Sequence, residues 1–339
     1  MDFGLPSEAV AFTELQRYYY ERHDPGSKEV RLIIKVELKN DGPVVLRFKN
    51  EEGVTAELLE KQGRFAALLG ENGIETPRQY QAGGRYVRAY SLHGYDVLVT
   101  AEEFVEGELR LVDAPTAEET GRLLAQTHNI AERAGFHIEN EVLFDPFSEN
   151  DLFCVLALME HEQELKAADE ALYKKIIGKY EEYRERLAPL EKELRYAVQG
   201  DISDCNLYRT GQGKIGIFDF NRSGDNILYC DAVMQALFEA RLMDYPESCA
   251  GREEEVILPA FLRGYDQERP FSKEQMDWYP YLYALIHAFW SADVVWREDS
   301  LLKELEKGNT DGVCRWMEEI WRRLCVLPPF PLSEEISAV

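Results

Sequence analysis

The order of hydrophobic patterns along the chain is the feature that most restricts its fold. In the first hundred residues, segments rich in β-branched residues flank turn residues, as in Val30–Leu38, Asn40–Gly42 and Val44–Phe48. This pattern predicts antiparallel strands joined by a hairpin. Between Thr55 and Leu69 apolar residues recur at helical spacing, which predicts one helix. Helical patterns predominate after Gly107, so the sequence predicts an α+β fold with a small β-rich part and a larger, mainly helical part.

Further segments extend both parts of this prediction. Strands are predicted at Tyr18–Arg22, Tyr86–Tyr90 and Tyr95–Val105, and helices at Thr116–Ala131 and Leu172–Leu187. Residues 23–27 would connect the first strand to the next, and Pro189 would end the last of these helices because proline cannot continue a helix. These elements divide the chain into two predicted domains, residues 1–106 and residues 107–339.

Composition excludes several classes of protein. The chain has 339 residues, 45% of them hydrophobic and 12% aromatic, which is enough for a large core and argues against disorder. Its net charge of −25 disfavours nucleic acids and anionic membranes as partners, and would attract metal ions or cationic ligands. The six cysteines form no CxxC pair, and the N-terminal sequence lacks the features of a signal peptide. We therefore expect a cytoplasmic protein without a structural zinc site.

The segment Val198–Asn221 (VQGDISDCNLYRTGQGKIGIFDFN) carries the strongest chemical signal. Asn206 opens one short apolar strand, Asp219 follows a second one at Lys214–Phe218, and a TGQG turn lies between them. Asp201 precedes the first strand by five positions. Because a hairpin brings together the residues on either side of its turn, we expect Asp219 to return to the loop that holds Asp201 and Asn206.

These residue types suit phosphoryl transfer. That reaction requires a carboxylate that orients and deprotonates the acceptor hydroxyl, and oxygen ligands that hold Mg²⁺ on the phosphates. An Asp and an Asn five positions apart are common in structural turns, so the pair alone would not indicate catalysis. The third residue, Asp219, and the β-rich region upstream make the functional interpretation the better one.

The same segment resembles the catalytic and metal-binding loops of the aminoglycoside phosphotransferase and choline kinase-like branch of the protein-kinase fold. Those loops read H-G-D-x-x-x-x-N, followed by I-D-F or I-D-W. The resemblance extends over most of the chain and implies a two-lobed, protein kinase-like fold with ATP and Mg²⁺ as cofactors. It implies that Asp201 is the catalytic base and that Asn206 and Asp219 are magnesium ligands.

The resemblance also implies residues that bind the nucleotide. Arg47 lies where the family has a phosphate-binding basic residue on the third strand, and Lys49 is the alternative on the same face. The acidic partner on the following helix would be Glu60, with Glu57 as the alternative because residues three apart share a helix face.

Residues 99–107 resemble the hinge between the lobes, where the Glu103 carbonyl and the Val105 amide would contact adenine.

The chain departs from the family at Gln199, which replaces the usual histidine. Glutamine can also donate and accept hydrogen bonds, so we expect activity to survive. The phosphate-covering loop near 23–28 contains a single glycine, which members of this branch tolerate.

These observations predict transfer of the ATP γ-phosphoryl group to a hydroxyl of a small molecule. The acceptor would be recognised by residues 145–197 and 265–300, where Asp266, Asp277 and Asp293 could receive a cationic amine. Aminoglycosides, amino alcohols, homoserine-like hydroxy acids and sugars are all possible acceptors.

Two alternatives remain. The first is an inactive kinase-fold protein that serves as a nucleotide-binding or scaffold module, favoured by the altered Gln199 and Arg47. The second, a metal-dependent hydrolase, would need His or carboxylate clusters that the six histidines do not form. His128, Asp225 and Asp231 are predicted to be structural.

Overall fold

The computed structural model describes residues 5–21, 28–92, 95–148, 154–202 and 206–333. Within them the chain forms two compact units, each built from discontinuous segments. The first unit comprises Met1–Arg110, Ile138–Asn140 and Cys205–Ser223, and the second comprises Leu111–His137, Glu141–Asp204 and Gly224–Val339. The segment 205–223 therefore packs with the N-terminal region and not with the rest of 107–339. The nucleotide-binding and acceptor-binding roles of the two predicted domains stay predictions.

The first unit is organised around a five-stranded antiparallel sheet. Its members are β1 (Ala9–Glu21), β2 (Lys28–Leu38), β3 (Val44–Asn50), β4 (Val87–Leu92) and β5 (Tyr95–Glu103), in the order β1-β2-β3-β5-β4. The first strand begins nine residues before the predicted Tyr18, and its last predicted residue, Arg22, lies outside the described residues.

The β2–β3 hairpin sets the register of this sheet. Val36 pairs with Val44 and Leu32 with Phe48, across the turn that Gly42 closes. Because side chains alternate between the two faces of a strand, the apolar residues of neighbouring strands meet on one side. They form a buried cluster of Val36, Leu38, Val44, Leu46, Phe48, Tyr80, Val97, Val99 and Ala101.

One helix of the first unit, α1 (Ala56–Glu71), lies close to its predicted bounds. The Thr55 hydroxyl accepts a hydrogen bond of 3.1 Å from the Leu58 amide and so caps the helix. The helix ends before Gly73, whose φ of 90° an L-residue rarely adopts. Phe65 and Leu69 are fully buried, as their helical spacing predicts. A short antiparallel pair, β7 (Leu207–Arg209) and β8 (Ile215–Ile217), completes this unit.

The second unit is mainly helical. Its helices are α2 (Ala114–Ala134), α3 (Val155–Glu160), α4 (Glu162–Leu187), α5 (Leu228–Leu242), α6 (Glu253–Glu268), α7 (Lys273–Ala288), α8 (Leu301–Glu306) and α9 (Thr310–Leu324). Two short strands, β6 (Arg195–Val198) and β9 (Gly224–Ile227), pair antiparallel within it. Helix α4 is interrupted at Asp169, whose carboxylate accepts a hydrogen bond of 2.9 Å from the Leu172 amide. The predicted helix that starts at Leu172 is therefore the second half of α4.

Two glycines allow α2 and α6 to cross closely. A Cβ atom on Gly121 would lie 1.9 Å from the Phe261 carbonyl oxygen, and one on Gly264 would lie 1.8 Å from the Glu118 carbonyl oxygen. Both distances are far below van der Waals contact, so a larger residue at either position would force the helices apart.

The predicted α+β class is confirmed, with the antiparallel sheet preceding the helices. In the ranges that the structure covers, no helix has both the length and the apolar character needed to cross a membrane.

Candidate active site

The β7–β8 hairpin places Asn206 beside the residue that precedes Asp219. Leu207 pairs with Ile217, and the Phe218 amide donates a hydrogen bond of 3.0 Å to the Asn206 carbonyl. Asn206 is buried. The backbone therefore brings the two predicted magnesium ligands to the same end of the hairpin, as the spacing of the sequence indicates.

Asp219 has a left-handed backbone conformation with φ of 55°, and no other described non-glycine residue has a positive φ. Its Oδ1 atom accepts a hydrogen bond of 3.2 Å from the Asn221 amide and caps a short 3₁₀ turn at Phe220–Arg222. Such a conformation is costly for a residue with a side chain, and strain of this kind concentrates at functional positions.

Arg47 on β3 lies between two carboxylates. Its Nη1 atom is 3.2 Å from Asp219 Oδ2. On the other side, its Nε and Nη2 atoms lie 2.9 Å and 2.8 Å from Glu102 Oε1. Arg47 and Glu102 are both buried, so the guanidinium is held in one orientation by two charge-assisted contacts.

Neighbouring charges shift the pKa values of Arg47 and Asp219. Burial opposes the charge on Arg47, but Asp219 and Glu102 outweigh it and raise the arginine pKa above its ordinary value. Burial likewise opposes ionisation of Asp219, while Arg47 and Lys49 hold the aspartate pKa below its ordinary value. Asp219 is therefore an ionised carboxylate at neutral pH.

Lys49 follows Arg47 by two residues and contacts the same loop. Its ammonium group donates a hydrogen bond to the Asn221 side-chain carbonyl. Burial lowers the pKa of Lys49 to about 8, and the positive charges of Arg47 and Arg31 add to that effect, whereas Asp219 opposes it. Two basic side chains from one strand thus contact the turn that begins at Asp219.

In the structure Glu60 contacts groups other than Arg47, and Glu57 does not take its place; the roles of both at the nucleotide stay predictions. Glu60 Oε2 accepts hydrogen bonds from the Tyr86 and Val87 amides, at 2.9 Å and 3.3 Å. Glu57 is exposed and lies near Lys61. The reason is that helix α1 places the Glu60 carboxylate at the start of β4, where these two backbone amides donate hydrogen bonds to it.

Glu102 is the residue that sequence reasoning missed. In the sheet register Arg47 pairs with Thr100 and Val45 pairs with Glu102. Glu102 is therefore a diagonal neighbour of Arg47 on the same face, within reach of a long side chain. The alternation of Thr100 and Glu102 in β5 was the signal available, but using it required the register of two strands that lie far apart in sequence. The second carboxylate oxygen of Glu102 accepts a hydrogen bond of 3.0 Å from Gln79.

The predicted hinge residues lie at the end of β5. Glu103 is its last residue and is exposed, and its amide donates a hydrogen bond of 2.9 Å to the Arg78 carbonyl. Val105 follows the strand and is half-buried. Their contacts with adenine stay predictions. The predicted phosphate-covering loop near 23–28 lies, except for Lys28, outside the described residues.

Asp201 belongs to the second unit, where it follows β6. The fully buried Gln199 supports it, because its Oε1 atom accepts a hydrogen bond of 2.7 Å from the Asp201 amide. Gly200 between them has φ of 84°, which permits the tight turn. The residue that replaces the family's histidine therefore makes the kind of supporting bond expected of it.

A buried network braces the second unit. His128 contacts the Tyr265 hydroxyl through Nδ1 at 2.8 Å and Asp231 Oδ2 through Nε2 at 3.0 Å. His137 lies 3.5 Å from Asp225. These contacts agree with the structural roles predicted for His128, Asp225 and Asp231.

The acidic residues predicted to receive a cationic acceptor differ in the hydrogen bonds and ion pairs that they already form. Asp266 accepts a hydrogen bond of 2.9 Å from the Phe271 amide. Asp293 forms ion pairs with Arg323 at 2.6 Å and with Arg297 at 3.1 Å. Asp277 is exposed. Of the three, only Asp277 forms neither a hydrogen bond nor an ion pair of this kind with the described residues.

The chemistry of the group around Asp219 differs from that of a preformed transition-metal site. Over the described ranges, no three His, Cys, Asp or Glu side chains converge in a way that could hold a metal ion. Asp219 instead offers carboxylate oxygens next to Arg47, and Lys49 contacts the turn that Asp219 begins.

Comparison with known proteins gives one family match. The model of the phosphotransferase enzyme family (APH) matches residues 32–277, more than half of the chain. No curated protein matches the sequence significantly.

Three solved structures resemble the fold. Amicoumacin kinase hAmiN, in complex with AMP-PNP, Ca²⁺ and amicoumacin, is 17% identical with a TM-score of 0.59, covering 95% of this chain and 92% of its own. An aminoglycoside phosphotransferase from Alicyclobacillus acidocaldarius is 12% identical with a TM-score of 0.52, covering 95% and 99%. A microcompartment-associated aminopropanol kinase is 15% identical with a TM-score of 0.51, covering 91% and 90%. These similarities confirm the predicted kinase-like fold.

Proposed function

The chain belongs to the phosphotransferase enzyme family, and from this premise we propose that it transfers the γ-phosphoryl group of ATP to a hydroxyl of a small molecule. The observation that carries the proposal is the charged group in the first unit. There, an ionised Asp219 in a strained turn is contacted by Arg47, and the same turn is contacted by Lys49. A kinase needs such a group where triphosphate and metal meet.

Asn206 and Asp219 would hold magnesium. Both present oxygen atoms, which Mg²⁺ prefers, and the depressed pKa of Asp219 keeps its carboxylate charged. When bound, magnesium neutralises charge on the phosphate oxygens and so favours transfer. The residues present therefore fit this ion.

Arg47 and Lys49 would bind the phosphates. Glu102 and Asp219 fix the Arg47 guanidinium, so the arginine would lose little further freedom on binding phosphate oxygens. Lys49 is a compact charge on the same strand face, and it would contact a second oxygen. Glu60 would contribute indirectly by fixing the start of β4.

Asp201 would act on the acceptor. Its role is to accept a hydrogen bond from the acceptor hydroxyl, orient that oxygen towards the γ-phosphorus and take up its proton as the new bond forms. Gln199 fixes the backbone that carries it. The Glu103 carbonyl and the Val105 amide would bind adenine.

We propose an amine-bearing hydroxyl compound as the acceptor, with a cytoplasmic location for the reaction. The net charge of −25 would raise the local concentration of cations. Two of the similar structures are named for aminopropanol and for aminoglycosides, compounds that carry both groups. Homoserine-like and sugar acceptors are the other members of the class to be screened.

A second candidate function is nucleotide binding without transfer. The Arg47–Asp219 ion pair favours it, because a cation already contacts the carboxylate that magnesium would require. In that case ATP would bind, but no acceptor would produce turnover.

The test measures binding and turnover separately. We expect Mg-ATP to raise the melting temperature of the wild-type protein, and ADP release to depend on one of a panel of amino alcohols, aminoglycosides, hydroxy amino acids and sugars. Asp201→Ala should retain the thermal shift and lose turnover by about a hundredfold or more, whereas Asp219→Ala should lose the magnesium-dependent part of the shift. Asp311→Ala, at an exposed position of α9 outside the ranges predicted to recognise the acceptor, is the matched control.

Wild-type ADP release from purified Asp201→Ala would refute the mechanism. A thermal shift with ATP and no turnover with any acceptor would support the second candidate instead.

A further inference from the structure

A cavity of about 220 Å³ lies within the second unit, away from the residues assigned to phosphoryl transfer. It is formed by the end of α2, the segment before and at the start of β6, the start of α5 and the end of α6. Asp201 follows the opposite end of β6, and none of the proposed nucleotide or metal ligands lines this cavity. Most of its lining residues fall within 145–197 and 265–300, the ranges predicted to recognise the acceptor, but the cavity lies at the end of β6 opposite to Asp201. The following inference does not depend on the proposed reaction.

Two acidic residues and one basic residue line the cavity, and the basic one is already neutralised. Arg269 forms a bidentate ion pair with Glu132, at 2.6 Å and 3.1 Å, and donates another hydrogen bond of 2.9 Å to the Asn129 side chain. The hydrogen bond from Arg269 holds the pKa of Glu132 below its ordinary value. This pair is satisfied, so the arginine has little capacity to bind an anion.

The second carboxylate, Glu193, has no such partner. It is half-buried at the cavity wall, and among the residues described no side chain forms an ion pair or hydrogen bond with its carboxylate. Burial raises the pKa of the Glu193 carboxyl, and the charge of Arg269 offsets this only in part. A half-buried carboxylate that forms no ion pair favours a positively charged ligand.

Aromatic rings complete the wall of the cavity. The Tyr229 hydroxyl donates a hydrogen bond of 2.6 Å to the Gln275 carbonyl, and the Tyr265 hydroxyl contacts His128. The hydroxyls are therefore occupied, and the rings remain as the lining surface. Phe271 packs against both, with ring centroids 6.0 Å from Tyr229 and 5.2 Å from Tyr265, which makes the wall rigid.

A fourth ring, that of the half-buried Tyr196, also lines the cavity. It is stacked on His137 at 5.5 Å. The faces of aromatic rings attract cations, most strongly where water is excluded.

We propose that this cavity is a binding site for a small organic ammonium ion, with Glu193 as its counter-ion and aromatic rings around its substituents. The volume is below that of typical drug-sized sites, which restricts the ligand to a few heavy atoms. The formal charges of Glu132, Glu193 and Arg269 leave one net negative charge, which one ammonium ion balances.

The probe for the experiment is tetramethylammonium chloride, which has no hydroxyl group and cannot accept a phosphoryl group. Its binding to the purified full chain is measured by isothermal titration calorimetry at constant ionic strength, with tert-butanol as an uncharged ligand of similar shape. We expect saturable binding of tetramethylammonium and none of tert-butanol. Glu193→Gln should weaken binding about tenfold or more, and Tyr196→Leu should weaken it as well.

The matched control is Glu191→Gln, which changes the same charge at an exposed position two residues away. It should bind like the wild type. Thermal melting of each variant shows whether it is folded, and Tyr196→Leu supplies a second test if Glu193→Gln is not. Wild-type affinity in both Glu193→Gln and Tyr196→Leu would overturn the proposal, as would equal loss in Glu191→Gln or equal binding of tert-butanol.

Discussion

Replacing Glu102 by glutamine would remove one of the two negative charges that hold Arg47, with almost no change in volume. At 2.8 Å and an effective dielectric constant of about 20, that charge attracts the guanidinium by about 6 kcal/mol. Part of this is offset, because the variant no longer has to desolvate the Glu102 carboxylate. Breaking a buried ion pair by removing one partner costs about 3–5 kcal/mol. Since Asp219 still contacts the same guanidinium, we expect the lower end, about 3 kcal/mol.

The assay must report on the first unit, and tryptophan fluorescence cannot do so. All five tryptophans lie between residues 278 and 321, in the second unit. Hydrogen exchange of peptides from β3 and β5, read by mass spectrometry, is the appropriate measurement. A loss of about 3 kcal/mol in the free energy of opening corresponds to exchange faster by about a hundredfold where opening limits it.

Glu106→Gln is the matched control, since it removes the same charge from an exposed residue four positions away. It should exchange like the wild type. If Glu102→Gln exchanged within about twofold of the wild type, the carboxylate would not stabilise buried Arg47, and our reasoning about this ion pair would be refuted.

Two other predictions concern different parts of the molecule. If Lys49 binds phosphate, kcat/KM for ATP should fall above about pH 8, because burial lowers the pKa of the lysine to about 8. Lys49→Arg should abolish this decline, because arginine stays charged. Identical pH profiles of the two proteins would contradict the role of Lys49. Gly121→Ala should destabilise the second unit by about 3 kcal/mol or more, because its Cβ would collide with the Phe261 carbonyl. The exposed Gly178→Ala should instead stabilise by about 1 kcal/mol. Urea unfolding followed by tryptophan fluorescence separates the two, and equal stability of both variants would contradict the packing argument.

Much of the fold could be predicted because its signals are local. The Asn40–Gly42 turn predicted the β2–β3 hairpin, and the helical spacing of Phe65 and Leu69 predicted α1. The family, the fold class and the enzymatic character predicted from the segment at 198–221 are confirmed. Strand β1 was underestimated because residues 9–15 are exposed and lack the alternation that marks a half-buried strand.

The charged group was only partly predictable, because its contacts depend on tertiary register. Asp219 was identified from its place after a hairpin strand and Arg47 was implied by the family resemblance, and the structure brings them together. Glu60 was implied by the family resemblance, but in the structure its carboxylate accepts hydrogen bonds at the start of β4. Glu102 enters through the pairing of β3 with β5, which the sequence of either strand alone does not reveal.

The discontinuity of the first unit has a consequence for how the chain folds during synthesis. The sheet is translated by residue 110, but β7, β8 and the Asp219 turn follow roughly a hundred residues later. At about 5–20 residues per second, the ribosome produces the sheet some 5–20 s before these partners. During that interval Arg47 has Glu102 but not Asp219, and the backbone of Glu75 lacks its partners Gly216 and Ile217. The nascent sheet therefore has to persist while Arg47 has one of its two carboxylate partners. Truncating the chain after residue 110 would make this state permanent.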